Sequence, residues 1–228
     1  MESLMLDIQQ LRTLDKGEPF ICLFSGGKDC GLALALACQS GNPVSLIHCM
    51  DSDVSSNHHQ KIDVIEKQAF AMGIPLSIIW CDMRAKQYIY YLTKELKRFE
   101  IDAVKSLVTG TIYDIHAYKI YTTMCSNASM TLRCPLWGYS DKEILSALAA
   151  NSIKAMITTI NDSRISSSWL GKIYDTSAYD AFQKLGIHPF GEYDEFHTTL
   201  IDANFFKKKI TVKYNNKTIN HLELELCV

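Results

Sequence analysis

Five residues, Ser25-Gly26-Gly27-Lys28-Asp29, constrain this chain more than any others. They stand between a continuous apolar run, Phe20-Ile21-Cys22-Leu23-Phe24, and an Ala- and Leu-rich segment from Asp29 to Gln39. An unbroken apolar run predicts a strand buried on both faces of a parallel sheet, because a strand with one wet face would alternate. The segment after it predicts a helix, stopped by Ser40-Gly41-Asn42-Pro43. Two adjacent glycines let the backbone approach an anion closely, and the helix that follows presents its positive end. Lys28 adds a charge within reach of phosphate, Asp29 a carboxylate for the magnesium that accompanies a triphosphate, and Ser25 a hydroxyl donor. The spacing is not the Walker one, G-x-x-x-x-G-K-S/T. The bland alternative is a glycine turn in a strand–helix unit.

Further apolar runs at 44–50, 76–80, 106–110 and 130–134 predict four more strands, separated by helical patterns at 57–72, 84–99 and 114–129. Such alternation predicts an α/β fold, a doubly wound parallel sheet of Rossmann-like type. Ligands of these sheets sit beyond the carboxyl ends of the strands, where the glycine loop and Gly110 both fall. His48 and Met50, at the end of the second strand, are candidates to line an adenine pocket or to pack in the core. From Trp137 the pattern loosens. Helices at 141–151 and 175–185, a strand at 155–160 and an alternating tail at 198–202, 209–214 and 218–226 predict a smaller α+β region. Asn215-Asn216 reads as a hairpin turn in that tail. The division falls near residue 137, giving a nucleotide-binding domain over 1–137 and a substrate region over 138–228.

Formal net charge is −2, so nothing global favours a nucleic acid, whose binding draws on a basic surplus. Lys207-Lys208-Lys209 reads as a solvated strand edge. The eight cysteines include no C-x-x-C pair, and most stand in apolar runs as small buried hydrophobes. That usage, a start at Met1 to Asp7 without signal-peptide character, and the lack of a membrane-length apolar stretch predict a reduced cytoplasmic protein. His58-His59 after Asp51-Ser52-Asp53 reads as a polar loop at a strand end rather than a metal site. The tail hairpin offers an edge strand to a second copy, so a homodimer is an open expectation.

Ser25 to Asp29 resembles the pyrophosphate loop of the ATP pyrophosphatases, the adenine nucleotide alpha hydrolases. Three later segments narrow the likeness. Pro135-Leu136-Trp137-Gly138, Trp169-Leu170-Gly171-Lys172 and Gly191-Glu192-Tyr193-Asp194-Glu195-Phe196-His197-Thr198 are similar, in order and spacing, to the diphthine–ammonia ligase family. That family reads P-x-W-G, then x-L-G-R/K, then G-E-G/N-G-E-F/Y-E/H-T. A D-x-P-x-F segment follows, and Asn204 stands at its proline here. The resemblance covers about Phe20 to Ile210. It implies an ATP pyrophosphatase that adenylates a carboxylate and transfers ammonia to it, releasing pyrophosphate and AMP. It further implies ATP binding by Ser25, Gly26, Gly27, Lys28, Asp29, Cys30, His48, Met50, Gly110 and Asp114, with Mg2+ on Asp29. Catalytic roles would fall to Lys28, Asp29, Glu192, Glu195 and His197. The two glutamates are candidates to bind a second metal, place ammonia or accept its proton, and His197 to relay protons. A polar loop pinning the tail to the core is the alternative for these three.

The chain departs from the family in places. After its fourth strand the family reads G-x-I/L-x-S-x-Y-Q-R-x-R-x-E, whereas Gly110 to Thr122 carries neither arginine nor the glutamate; Lys119 and His116 are the basic residues there. Tyr193 and Asp194 replace glycines, and Cys30 stands at a serine position. These changes resemble the shorter bacterial relatives. Bacteria lack diphthamide, so the acceptor, a protein side chain or a small molecule, stays open. Two other readings remain: an ATP-binding protein without ligase activity, and a tRNA-modifying ATP pyrophosphatase, which the charge balance and the missing cysteine pair oppose.

Overall fold

The structure of the protein, a computed structural model, describes residues 8–51, 60–81, 87–99 and 103–228. Met1 to Asp7, Ser52-Asp53, His58-His59 and the first residues of the helices expected at 57–72 and 84–99 lie outside the described residues.

Strands β1 (Pro19–Leu23), β2 (Asn42–Asp51), β3 (Leu76–Cys81), β4 (Ser106–Val108) and β5 (Thr131–Arg133) form one five-stranded sheet in the order β3-β2-β1-β4-β5, parallel throughout. Helices α1 (Ile8–Arg12), α2 (Lys28–Ala37), α3 (Ile62–Met72), α4 (Gln87–Arg98) and α5 (Ile115–Asn127) accompany it. The apolar run of β1 is explained by its two cores. Phe20 and Cys22 pack with Leu32 and Leu34 of α2 and Ile65 of α3, while Ile21 packs with Leu92 and Leu96 of α4 and Met124 of α5. Both faces are covered, so no position of the strand is free to be polar. Strand order reverses between β1 and β4, and the crevice of a doubly wound sheet opens at that point.

The remainder comprises α6 (Asp141–Ala150), β6 (Lys154–Ile160), a 3-10 turn (Ser167–Trp169), α7 (Thr176–Lys184), β7 (Phe196–Asp202), β8 (Thr211–Lys217) and β9 (Leu222–Cys227). β6 pairs antiparallel with β7, and β8 with β9. A capping box, Ser140 with Glu143, fixes the start of α6. Phe182, Phe196, Leu200 and Leu224 belong to the same apolar cluster as Phe20 and Leu32. β7 comes so close to α2 that a Cβ on Gly31 would lie 2.8 Å from a methyl of Leu200.

Two expectations are corrected. Asn215 and Asn216 lie inside β8, beside a register shift that takes up an extra residue. The chain turns at 218–221 instead, where Thr218 N–H donates to the His221 carbonyl at 2.8 Å and the Thr218 hydroxyl accepts from His221 N–H at 3.0 Å. A threonine side chain that bonds the backbone a few residues on makes a turn without help from asparagine. Lys207-Lys208-Lys209 is not a strand edge either. The N–H groups of Lys207 and Lys208 donate to the Ala71 carbonyl at 2.9 and 3.0 Å, so these two residues cap the C-terminal end of α3, where cations meet the negative end of the helix. Among the described residues no helix is long and apolar enough to cross a membrane.

Candidate functional site

Each glycine of the loop answers a separate demand. Gly26 has φ +85°, and an added Cβ would lie 2.5 Å from Cδ1 of Ile65 and 2.8 Å from Oε1 of Gln68. Its carbonyl accepts the N–H of Leu200 at 2.8 Å and an amide N–H of buried Gln68 at 3.0 Å. Gln68 also donates to the Leu200 carbonyl at 2.7 Å. Strand β7 is thereby hydrogen-bonded to the loop itself. Gly27 caps α2 without a side chain, and the hydroxyl of Thr198 accepts the Lys28 N–H at 3.1 Å in its stead. Gly110 lets the segment after β4 rest against the first turn of α2; a Cβ there would come 2.8 Å from the Cys30 nitrogen.

Lys28 is buried, at 4% exposure. Its ammonium donates to the Phe190 carbonyl at 2.6 Å and to Asp29 Oδ2 at 2.9 Å. The rings of Tyr174, Phe190 and Phe196 surround it, with centroids 5.4, 5.8 and 5.4 Å away. The second oxygen of Asp29, Oδ1, is buried and makes no hydrogen bond. A cavity of ≈ 130 Å³ lies between the loop and the 190–198 segment, lined in part by Ser25, Gly27, Lys28, Asp29, His197 and Thr198.

The three residues of the 191–198 motif take different positions. His197 lines the cavity, with Nε2 2.7 Å from Asp194 Oδ1. Burial first, and then the charge of Asp29, push the Glu192 carboxyl up to about 7. Glu195 is buried, and its two oxygens accept backbone N–H groups of His188 and Tyr193, each at 2.9 Å. That carboxylate shapes the loop it belongs to.

Cys30, His48 and Asp114 are not among the residues that line this cavity. Cys30 is buried beneath the loop, its sulfur 3.2 Å from the Ser25 hydroxyl and 3.2 Å from the Gly27 carbonyl. His48 is buried with Nδ1 2.7 Å from the Phe24 carbonyl and Nε2 3.1 Å from the Met50 sulfur. Asp114 caps α5, accepting from His116 N–H at 2.8 Å and Ala117 N–H at 3.1 Å, while its charge helps to raise Glu192. Sequence reasoning did not select Thr198, Gln60, Gln68, Tyr113 or His188. Tyr113 and His188 hydrogen-bond to each other, joining the segment after β4 to the 188–195 loop. Gln68 carried a signal, a polar residue inside the apolar stripe Val64, Ile65, Ala69 and Met72.

Among the described residues no group of three or more His, Cys, Asp and Glu is arranged to hold a metal ion. The orphan Oδ1 of Asp29 is the donor that fits one. Magnesium is commonly bound by one or two carboxylates plus the phosphates of its nucleotide, and a single free carboxylate oxygen beside a glycine loop meets that pattern.

Two family models match the chain: the diphthamide synthase N-terminal domain over residues 19–132 and the diphthamide synthase C-terminal domain over residues 140–225. Diphthine–ammonia ligase of Mus musculus is 23% identical over 218 residues, which cover 83% of this chain and 81% of that protein. Its counterpart in Danio rerio is 23% identical over 229 residues, 87% of this chain and 88% of that protein. Among solved structures, one described as a predicted subunit of tRNA methyltransferase from Methanocaldococcus jannaschii superposes with a TM-score of 0.44 at 22% identity. That superposition covers 85% of this chain and 100% of that one.

Proposed function

The chain belongs to the diphthamide synthase family, and from that premise we propose that it is an ATP-dependent ligase that joins ammonia to a carboxylate. The observation that carries this reading is the glycine loop held by β7, with one oxygen of Asp29 left free beside it. A carboxylate is a poor electrophile because oxide would have to leave. In the proposed sequence an acceptor carboxylate oxygen attacks the α-phosphorus of ATP, and the bond to the β-phosphate breaks with release of pyrophosphate. Ammonia then attacks the acyl carbon of the adenylate, AMP departs, and the nitrogen loses a proton.

The loop N–H groups and the N-terminal end of α2 supply fixed positive dipoles for the charge that builds on the departing pyrophosphate. Asp29 would hold magnesium through Oδ1, and the ion supplies charge neutralisation when bound. Glu192, with its carboxyl near 7, is matched to accepting the proton of the attacking nitrogen at neutral pH. His197 lines the cavity beside Asp29 and is held by Asp194. The acceptor in this reading is a carboxylate on a protein side chain or a small molecule.

The test is incorporation of 15N-ammonium into an amide in a cell extract depleted of free nucleotides and supplied with the protein. Incorporation that requires both ATP and the protein is expected; incorporation indifferent to ATP contradicts the reading. A second reading, an ATP-binding protein without ligase activity, is favoured by one observation. Residues 110–122 hold no arginine, and Lys119 and His116 stand exposed on α5. Tight ATP binding with no product in any extract would select it.

A further inference from the structure

A lysine at 4% exposure has lost nearly all its water, and its charge persists in a fold only with partners that replace that hydration. Lys28 has them in full. A lysine head carries three N–H donors. One meets Asp29 Oδ2 at 2.9 Å and one the Phe190 carbonyl at 2.6 Å. Three aromatic faces close around the rest within the range of cation–π attraction. The bond to Asp29 has a structural consequence. Asp29 is held by one oxygen, which leaves Oδ1 without a hydrogen bond on a residue that lines the cavity. Meanwhile the backbone N–H of Lys28 is taken by Thr198, and although Lys28 is among the residues that line the cavity, its ammonium is engaged by Asp29 and the Phe190 carbonyl.

We propose that Lys28 is a positioning residue that orients Asp29 toward a magnesium ion and ties the glycine loop to the 190–196 segment, and that it does not contact the phosphates. The proposal rests on the reading that this loop takes ATP with magnesium. It departs from what the sequence implied, a lysine reaching phosphate. A Lys next to two glycines has the length to do so, but its direction is set by the aromatic pocket that Tyr174, Phe190 and Phe196 build far along the chain. The charge of Lys28 then acts through Asp29. It offsets part of that carboxylate and fixes the orientation of its free oxygen, while the cradle for phosphate consists of backbone N–H groups and dipole.

The experiment is calorimetric binding of an ATP analogue with a methylene bridge between its α- and β-phosphates, which cannot turn over. It is run on the wild type, Lys28→Met and Lys28→Arg, once in EDTA and once across a magnesium series. The proposal expects metal-free affinity within about twofold of wild type in Lys28→Met. It expects the magnesium concentration giving half-maximal tight binding to rise tenfold or more. Lys28→Arg keeps the charge but not the shape that fits the ring pocket, and carries the test if Lys28→Met does not fold. The proposal expects the same raised magnesium requirement in it. A tenfold loss of metal-free affinity in Lys28→Met would overturn the proposal in favour of a phosphate contact. An unchanged magnesium requirement in a folded variant would overturn it as well. Failure of the wild type itself to bind the analogue would remove the parent reading instead, so the two failures are told apart.

Discussion

The hydroxyl oxygen of Thr198 accepts the backbone N–H of Lys28 at 3.1 Å, joining residues 170 positions apart. The first N–H groups of a helix have no partner within it, and a local side chain usually supplies one. Gly27 has none to offer, so β7 provides the cap from across the fold. Gln60 secures the arrangement. Its amide N–H donates to the Thr198 carbonyl at 3.1 Å, and its carbonyl accepts from the Thr199 hydroxyl at 2.8 Å. The shape of the loop therefore depends on a strand that the chain completes near its other end.

Replacing Thr198 with Ala removes that cap. A lost N-cap costs about 1 kcal/mol, and Thr198→Ala is expected to lower stability by that amount in urea unfolding, with weaker binding of ATP. Thr198→Ser keeps the oxygen and is expected to retain most of both. Equal losses in the two variants would show that the methyl group, and not the hydroxyl, matters.

Gly26→Ala is expected to destabilise by about 1–3 kcal/mol, since a side chain at φ +85° is strained and its Cβ would meet Ile65 and Gln68. Gly27, at φ −91°, has ordinary backbone geometry, and a Cβ there finds its nearest neighbour, the Thr198 carbonyl oxygen, at 3.3 Å. Gly27→Ala should cost less stability than Gly26→Ala. Denaturant midpoints of the two variants, compared at equal slope, check the order.

Much of this was legible in the sequence because it is written locally. The run from Phe20 to Phe24 announced a strand covered on both sides, and the glycines announced the turn at its end. Long-range partners were not legible. The Phe190 carbonyl that takes Lys28 is a backbone atom, and any residue at that position carries one. Thr198 stood in a quoted motif, yet Glu192, Glu195 and His197 attracted the chemistry because charge and titration are easier to see than a hydroxyl aimed at a helix end. Glu195 spends both oxygens on backbone N–H groups, which no spacing rule reveals. The tail misled for a physical reason as well. Asn215-Asn216 has turn propensity, but Thr218 closes a tighter backbone bond three residues later.

At the other end of the sheet, Glu18 and Arg133 form a buried ion pair at 3.2 Å, with Ser106 bonded to the same carboxylate. Burial is the largest influence on Glu18 and acts to raise its pKa. The Ser106 hydroxyl, the Asp15 N–H and Arg133 together outweigh it, so the folded carboxyl titrates below its ordinary 4.5. A depressed folded pKa stabilises the native state fully above the unfolded value, and that contribution disappears as pH falls through the folded value. Stability is thus expected to drop below about pH 4.5 in the wild type. Glu18→Gln should flatten that acid limb and cost about 3 kcal/mol at neutral pH, because Arg133 would be left buried without its counter-charge. Unfolding free energies at a series of pH values measure both effects.

Burial pushes the Cys30 thiol up, and Ser25 and Gly27 enclose its sulfur. Cys49 is pushed up to about 12 by burial and by neighbouring Cys81. Thiolate is the reactive form, so both residues are expected to resist alkylation at pH 8 until the protein unfolds. Cys30→Ser retains both hydrogen-bond partners and should change stability by about 1 kcal/mol or less. Mass spectrometry of the alkylated native protein reads the first outcome, urea unfolding the second.

The central claim is that the glycine loop directs cleavage between the α- and β-phosphates of ATP. Incubation with α-labelled ATP, magnesium, ammonium and cell extract, followed by separation of AMP from ADP, tests it most directly, with Asp29→Asn alongside. Labelled AMP that depends on the protein and vanishes in Asp29→Asn is the predicted result. Labelled ADP formed by the protein in place of AMP would contradict the account and identify the loop as the site of a kinase or ordinary ATPase.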